Sequence, residues 1–421
     1  MAHGRKSDST PEETSMTYGS GDLRADAAIV AEPSTDGWRI PRAVPYAEPD
    51  DIAPIASVMD DPDLPFWLAM NRIRGVGPAR FRLLLDRYGS AQAAWNDSPA
   101  GWQAAGLDAR TASAFDTQRH QIVPEAELER LARLRVRAIR FVDQEYPRLL
   151  REIQLPPVIL YVRGTLTPDD DLSVAVVGTR RASTYGRQAT ERLVTGLVAQ
   201  QITIISGLAR GIDTAAHSAA LDASGRTIAV LGCGPDLVYP PENARLAARI
   251  VEHGAVVTEF APGTQPEAGN FPARNRLISG LSLGVLVVEA PEDSGALITT
   301  RFAAEQGRDV FAVPGNIYSR SSTGANRLIQ DGARLVMDVA DILSELNVHM
   351  VPQQLQMRDL LPENDVETRL LAMLRDASEP VHADELCRES GLPVAEVSST
   401  LVMMELKGLV RAVGPMMYAP T

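Results

Sequence analysis

The sequence has little of the material from which secreted, membrane-spanning or metal-dependent proteins are built. Only two of its 421 residues are cysteine, Cys233 and Cys387. Two cysteines cannot form a disulfide framework, and these two lack metal-ligand spacing, so we expect a reducing, cytoplasmic compartment. No apolar run reaches the ~18 residues that a membrane-spanning helix needs, and the polar stretch Met1 to Thr17 is unlike a secretion signal. We therefore expect a soluble protein with no membrane partner.

Several motifs of nucleotide and metal chemistry are also missing. The sequence has no Gly-x-x-x-x-Gly-Lys-Ser/Thr loop for a nucleoside triphosphate. Gly232-Cys233-Gly234 lacks the third glycine of the dinucleotide fingerprint, and no His, Cys and Asp residues cluster at metal-ligand spacing. Ser294-Gly295-Ala296 lacks the nucleophile-elbow pattern, and we interpret it as a turn that opens a helix. The sequence thus predicts no catalytic residue, no metal and no cofactor.

Lysine is nearly absent, and acidic residues outnumber basic ones. Lys6 and Lys407 are the two lysines among 41 basic residues, and the net charge is −13. Residues 1–62 hold 12 acidic and 5 basic side chains, residues 352–421 hold 11 and 6, and the middle is close to neutral with 31 and 30. Because screening limits each charge to about 8–10 Å, the middle can still present a local basic face. Its arginines supply the planar forks that suit phosphate.

The N-terminal third predicts a disordered segment and then a small helical domain. Residues 1–61 are rich in Pro, Asp, Glu, Ser and Thr without sustained periodicity, which predicts a disordered acidic leader. Residues 62–142 predict small helices. Apolar residues at helical spacing run from Leu64 to Ile73, stop at Gly75-Val76-Gly77 and resume from Phe81 to Tyr88. This pattern is typical of a SAM-like or helix-hairpin-helix domain, whose turn offers N–H groups to a phosphate. We favour a purely structural hairpin over direct contact with DNA.

Residues 143–350 predict an α/β domain. Continuous apolar runs such as Ser173 to Val177 and Ile202 to Ile205 are typical of parallel strands that are covered on both faces. Their alternation with helical segments predicts right-handed crossovers and a doubly wound sheet. Such a sheet binds its ligands at the carboxyl ends of the strands.

The C-terminal part predicts a linker over residues 351–364 and a winged helix over residues 365–421. The third helix of this domain, from Val394 to Glu405, contains two glutamates but neither arginine nor lysine. A winged helix that reads DNA places a basic recognition helix in the groove. We therefore favour a protein-contact or structural role for this domain.

Glycine and arginine recur in the turns that follow the predicted strands. The candidate binding residues are Gly178, Thr179, Arg180 and Arg181 after one strand, Ser206, Gly207, Arg210 and Gly211 after the next, and Phe271, Arg274, Asn275 and Arg276 after a later one. Glycine lets a backbone approach a ligand closely, and N–H groups at a helix start attract phosphate. An unpaired base that stacks on Phe271 would gain ~1–3 kcal/mol. Several phosphate sites in a row favour a polyanion over a single nucleotide.

Each of these residues also has a structural interpretation. Glycine at a strand end is needed by any tight turn, Asp213 can brace its turn, and Asn275 can satisfy buried backbone groups. His217 is more often a packed helix residue than a base. The convergence of the turns on one edge of the sheet favours the functional interpretation.

From Glu145 to Leu343 the motifs, in order, resemble those of the DNA-processing protein A family, also called DprA or Smf. The segments that carry the resemblance are Val177-Gly178-Thr179-Arg180, Ser206 to Asp213, Gly232 to Asp236, Tyr239 to Asn243, Phe271 to Arg276, Glu289-Ala290, Ser294 to Thr299, Val313 to Asn316 and Gly324 to Ala333. The helical domain and the winged helix match the family layout more loosely.

The resemblance implies an extended Rossmann-like domain that binds single-stranded DNA. It further implies a homodimer that protects incoming strands and helps load RecA recombinase during natural transformation and DNA recombination. In this sequence Gly178, Thr179 and Arg180 would hold one phosphate and Ser206, Gly207, Arg210 and Gly211 the next, while Phe271, Arg274, Asn275 and Arg276 would meet the strand. Some members carry basic residues shortly before the Phe-Pro pair, whereas Glu267-Ala268-Gly269 stand here. The strand path is then weaker at that point.

Two other functions remain open at the level of sequence. One is a nucleotide-processing enzyme, because phosphoribohydrolases share related folds, although their Pro-Gly-Gly-x-Gly-Thr-x-x-Glu motif is missing here. Release of a free base from a nucleoside monophosphate would support it. The other is an adaptor that binds proteins through its winged helix and leader. Truncation near Pro352 that spares strand binding but abolishes RecA stimulation would favour it.

Overall fold

The computed structural model describes residues 43–46, 61–346, 365–377, 380–406, 409–414 and 416–420. The predicted linker, 351–364, and all of the predicted leader except residues 43–46 and 61 lie outside these ranges. Strand β1 (Val44–Pro45) pairs antiparallel with β7 (Leu237–Val238), and Tyr46 beside it is buried. The prediction of disorder is therefore wrong for residues 44–46, where a short apolar stretch finds a strand edge.

Six short helices form the N-terminal domain. They are α1 (Leu64–Asn71), α2 (Pro78–Tyr88), α3 (Ala91–Asn96), α4 (Pro99–Ala104), α5 (Ala109–Arg119) and α6 (Pro124–Arg133). Their core contains Trp102 stacked on Phe115, with ring centroids 4.2 Å apart. The predicted Gly-x-Gly turn joins α1 to α2, and Gln118 Oε1 accepts the N–H of Arg74 at its start. The helix-hairpin-helix arrangement is thus confirmed, and α5 braces its turn.

A nine-stranded sheet forms the centre of the molecule. Its nine strands are β2 (Arg137–Arg140), β3 (Ile159–Gly164), β4 (Ser173–Val177), β5 (Thr203–Ser206), β6 (Thr227–Val230), β8 (Ala255–Thr258), β9 (Gly284–Val287), β10 (Asp309–Ala312) and β11 (Arg334–Leu335). The strand order is β11-β10-β9-β4-β5-β6-β8-β3-β2. In this order, the first seven strands, from β11 to β8, are parallel to one another. Strand β3 then runs antiparallel to β8, and β2 runs antiparallel to β3. The seven parallel strands form the doubly wound sheet that the sequence predicts, and the antiparallel strands β3 and β2 extend it at one edge.

Strand β2 lies within residues 62–142, which the sequence assigns to helices. Its four residues, Arg-Ala-Ile-Arg, carry charge at both ends and offer no apolar run. Ala138 and Ile139 are nevertheless buried, because β2 pairs with β3 along its whole length. Pairing with β3 therefore decides the conformation of this segment, which local periodicity does not predict.

Helices cover both faces of the sheet. They are α7 (Arg148–Arg151), α8 (Thr184–Val198), α9 (Ile212–Asp222), α10 (Ala244–His253), α11 (Asn270–Gly280), α12 (Ala296–Glu305), α13 (Thr323–Gln330) and α14 (Val339–Glu345). Alternate residues of β4 enter two separate cores, Val174 and Val176 on the side of α8, α9 and α14, Ala175 and Val177 on the side of α11 and α12. The α/β fold class and its extended Rossmann-like, doubly wound sheet are confirmed.

The C-terminal residues form a winged helix, as predicted. It contains α15 (Asp365–Asp376), α16 (Ala383–Ser390), α17 (Val394–Leu406) and an antiparallel sheet of β12 (Val381–His382), β14 (Met417–Pro420) and β13 (Val410–Gly414) in that order. On α17, Val402 and Met403 are half exposed. Within the described ranges, no helix combines the length and apolar character needed to cross a membrane.

Candidate nucleic-acid interface

The strand order reverses between β4 and β9, where doubly wound sheets open a crevice for ligands. Here the Glu289 side chain occupies that crevice and is only 2% exposed. Its carboxylate accepts the N–H of Ser183 at 2.8 Å and the hydroxyl of Ser321 at 2.5 Å. A Cβ on Gly186 would lie 2.3 Å from the same carboxylate. The place at which a dinucleotide binds in related folds is therefore filled by protein.

In the turn after β4, Gly178 and Thr179 pack within the fold, whereas Arg180 and Arg181 are exposed. The N–H of Thr179 donates to the Glu289 carbonyl at 2.6 Å, and its hydroxyl accepts the N–H of Arg181 at 3.2 Å. A Cβ on Gly178 would lie 2.8 Å from the same carbonyl. Since the Thr179 N–H is engaged within the fold, the charge offered to solvent comes from the exposed side chains of Arg180 and Arg181.

The turn after β5 is largely internal. The Ser206 hydroxyl is buried and donates to the Val176 carbonyl at 2.6 Å, which ties β5 to β4. The N–H of Gly207 donates to Asp213 Oδ2 at 3.1 Å. Gly211 has a φ of +81°, and a Cβ there would lie 2.2 Å from the Thr179 carbonyl oxygen. These residues therefore fix the turns against each other, and an N–H route from Gly207 to a phosphate is closed.

Arg274 is buried rather than exposed to a strand. Its side chain, on α11, donates from Nη1 to the carbonyls of Gly207, at 2.7 Å, and Val230. The residue is 4% exposed. Burial lowers the pKa of Arg274 to about 10, against the attraction of Asp213. The guanidinium therefore joins the carboxyl ends of β5 and β6 and positions the edge of the sheet.

Asp213 and His217, one turn apart on α9, lie in the same buried layer. Asp213 accepts the N–H groups of Gly207 and Ala209. Burial raises the pKa of Asp213 to about 6, an effect that Arg274 opposes. His217 Nδ1 lies 2.7 Å from Thr227 Oγ1, and burial lowers its pKa to about 3. Both residues thus match their structural interpretation, a braced turn and a neutral packed histidine.

Phe271 forms the centre of an open cleft at the surface. Its half-buried ring lies 5.2 Å from the ring of Tyr239, at an angle of 42°. The guanidinium carbon of Arg180 lies 5.8 Å from the Phe271 centroid. The cleft encloses about 20 Å3 and is lined by Arg180, Gly207, Arg210, Tyr239, Phe271 and Arg274. That space admits a water molecule, so a base would stack at its mouth.

Helix α11 begins at Asn270, so the Phe271-Pro272 pair lies in its first turn. Pro272 is tolerated because the N–H groups of the first helical turn have no intrahelical partner. The helix therefore presents Phe271 and Arg274 toward the cleft and directs Asn275 and Arg276 elsewhere. Asn275 donates to the Gly295 carbonyl at 3.2 Å. Arg276 pairs with Glu259 and donates to the Leu155 carbonyl at 2.7 Å.

Arg210 is exposed at the cleft but shares its charge with a carboxylate. Its Nε donates to Glu242, and the two side chains are 51% and 48% exposed. The hydrogen bond that Arg210 donates to Glu242 raises the pKa of Arg210. An ion pair at this exposure contributes little to stability, so a phosphate can replace Glu242 at small cost.

Tyr239, Glu242 and Glu289 shape the site, although the sequence analysis names none of them as a binding residue. They lie in two segments that carry the family resemblance, Tyr239 to Asn243 and Glu289-Ala290. That resemblance is the signal in the sequence that points to them. Cys233 and Cys387 are free, and burial raises the pKa of Cys233 to about 12, so its thiol stays protonated.

Comparisons with known proteins agree with this geometry. The family model for DNA recombination-mediator protein A matches residues 137–347, about half of the chain. The DprA-like N-terminal HHH domain matches residues 63–122, and the DprA winged helix domain matches residues 356–414. The chain is 35% identical over 388 residues to Protein Smf of Synechocystis sp., covering 84% of this chain and 98% of that protein.

Two matches come from Streptococcus pneumoniae. Its DNA processing protein DprA is 48% identical over 204 residues, which are 48% of this chain and 72% of that protein. The X-ray structure of DNA processing protein A from the same organism superposes with a TM-score of 0.59 at 38% identity, covering 67% of this chain and 97% of that one.

Proposed function

Because the chain belongs to the DNA recombination-mediator protein A family, also named DprA or Smf, we propose that it binds single-stranded DNA without catalysing a reaction. The observation that carries this proposal is the half-buried Phe271 ring, flanked by Arg180 and Tyr239 at the open edge of the sheet. A ring and a cation side by side match an unpaired base and its phosphate. No observation favours the nucleotide-processing alternative, since Glu289 fills the crevice at the sheet reversal.

The twelve candidate residues then divide into two groups. Phe271, Arg180, Arg181 and Arg210 contact the strand, because their side chains reach the surface. The others hold these four in place, namely Gly178, Thr179, Ser206, Gly207, Gly211, Arg274, Asn275 and Arg276. This division follows from hydrogen bonding, since a guanidinium that already donates to buried carbonyls has little left for a phosphate.

The wider role that we propose rests on the relatives, whose names describe DNA processing. The protein would act in the cytoplasm as a homodimer, protect incoming strands and help load RecA recombinase during natural transformation. The winged helix would contact protein, because α17 presents Val402 and Met403 and no basic side chain between Val394 and Leu406.

Arg180→Ala is expected to weaken binding of a twenty-nucleotide oligothymidine by roughly 10- to 100-fold, because a charge-assisted bond to phosphate contributes about 1.5–3 kcal/mol. Fluorescence anisotropy over a salt series measures both affinity and slope, and the slope should fall by about 0.7 per lost contact. Arg249→Ala is the matched control, since Arg249 is exposed on α10 and pairs with Asp222. Equal binding by the two variants would refute the proposal.

Phe271→Leu is expected to weaken the same complex by roughly 5- to 100-fold through lost stacking. Leucine keeps apolar contact with Tyr239 and Gly232, so the cleft should remain folded. The salt slope should not change, because no phosphate contact is removed. A strand of abasic sites provides the comparison: wild type should prefer oligothymidine, and the variant should not. A variant that keeps the full preference would exclude Phe271 as the stacking residue.

A further inference from the structure

A second concavity lies beside the Phe271 cleft, and we name it the arginine trough. It occupies about 400 Å3 between the starts of α8 and α9 and is lined by Arg180, Arg181, Ala182, Arg187, Gly211 and Thr214. Arg180 lines both the trough and the Phe271 cleft. A chain that passes Arg180 on leaving the cleft therefore enters the trough.

The lining of the trough is rich in positive charge. Its lining contains three arginines and no acidic residue. Arg181 and Arg187 are exposed, and neither forms an ion pair within the described part of the chain. Arg210 and Arg276, by contrast, are paired with Glu242 and Glu259. Arg181 and Arg187 thus lie together without a carboxylate partner among the described residues, and two such cations attract an anion from solution.

Hydrogen bonds within the protein hold the side chains that line the trough in place. Arg187 Nη1 donates to the Ala182 carbonyl at 2.6 Å, and Nη2 lies 3.3 Å from Thr184 Oγ1. A guanidinium has five N–H donors, so three of those on Arg187 have no partner among the described residues. The floor is fixed because Thr214 donates its hydroxyl to the Ala209 carbonyl at 2.7 Å. A phosphate thus meets donors whose direction is already set.

We propose that the arginine trough is a second phosphate site, in which Arg181 and Arg187 bind backbone phosphates of the strand next to the nucleotide held at Phe271. This inference rests on the proposed function and extends it to Arg187, a residue outside the twelve candidates. The ligand chemistry is a phosphodiester. A free polyphosphate has similar chemistry, and the experiment below separates the two sources.

The test compares Arg187→Gln and the double variant Arg181→Gln/Arg187→Gln with wild type over a salt series, using the twenty-nucleotide oligothymidine. We expect roughly 3- to 10-fold weaker binding for the single variant and roughly 10- to 100-fold for the double variant. The slope of log affinity against log salt should fall by about 0.7 for each contact. Arg192→Gln is the matched control, because Arg192 lies on the same helix, is 71% exposed and pairs with Asp338.

Further arms separate the explanations. Arg187→Lys keeps the charge and loses the paired hydrogen bonds, so it should restore most of the slope; behaviour like Arg187→Gln would mean that Arg187 only braces its loop. Titration with inorganic pyrophosphate tests whether the trough binds a free polyphosphate instead. The proposal would be overturned if wild type bound pyrophosphate tightly, Arg187→Gln abolished that binding, and Arg187→Gln left the salt slope for oligothymidine unchanged. If Arg180→Ala weakens binding but the double variant keeps the wild-type slope, the second site and the strand contact of Arg181 are wrong, whereas the contacts at Arg180 and Phe271 stand. If Arg180→Ala also binds normally, the proposed function fails.

Discussion

Replacement of Arg274 by leucine is expected to destabilise the protein by about 3–5 kcal/mol, because it leaves a buried charge without its partner. The carbonyls of Gly207 and Val230 lose their donor, and the buried Asp213 loses the cation that favours its ionised form. Urea unfolding of the purified protein measures the loss. Arg249→Leu is the control, since its exposed pair with Asp222 should contribute less than about 1 kcal/mol.

The loss at Arg274 should depend on pH in a defined direction. Arg274 lowers the raised pKa of Asp213, so its removal raises that pKa further above about 6. A carboxyl whose folded pKa exceeds its unfolded value costs stability as pH rises through that window. The variant should therefore be more destabilised at pH 8 than at pH 5, where Asp213 is neutral in both proteins. Adding Asp213→Asn should remove the difference. An equal loss at both pH values would contradict the electrostatic coupling between Arg274 and Asp213.

Gly211→Ala is expected to destabilise the protein by at least about 3 kcal/mol, from backbone strain and overpacking together. Gly211 has a φ of +81°, and the new Cβ would lie 2.2 Å from the Thr179 carbonyl oxygen and 2.7 Å from the Arg180 carbonyl carbon. Relief of that overlap requires the turn after β4 to move. Binding of oligothymidine should fall as well, because Arg180 belongs to that turn.

Gly307→Ala separates strain from overlap. Gly307 also has a positive φ, +67°, but no atom lies within 4 Å of the position of its Cβ. Its substitution should cost about 1 kcal/mol from strain alone and leave strand binding unchanged. Thermal unfolding and anisotropy on both variants provide the comparison. Equal losses of stability would show that the contact between Gly211 and the Thr179 turn is unimportant.

Local periodicity sufficed for much of the fold. The parallel strands β4, β5, β6, β8 and β9 are mostly apolar runs, and every one of their residues is buried. Local sequence patterns also predicted the helical hairpin around Gly75 and the winged helix. The edge strand β2 escaped prediction because its charged ends conceal two buried residues, Ala138 and Ile139. The strand at Val44–Pro45 was not predicted, because a strand of two residues is too short to show an alternation of apolar and polar residues.

The sequence predicted that the candidate residues lie at the ends of the strands, but it did not predict which of their side chains are exposed. Every turn that the sequence singles out lies at the carboxyl edge of the sheet. Exposed and buried arginines nevertheless look alike in the sequence. Arg180 and Arg274 each follow a glycine-bearing or aromatic motif, yet one lies at the surface and the other is 4% exposed.

The amino-acid sequence alone determined the α/β class, the order of the domains and the family, because these depend on short-range patterns and on motifs that keep their order. The tertiary structure alone decided which arginines remain available to an anion. Arg274 meets carbonyls 67 and 44 positions away, and Arg276 meets one 121 positions away. Such partners are brought together by packing of the sheet and its helices, and no local pattern encodes which charge will be neutralised.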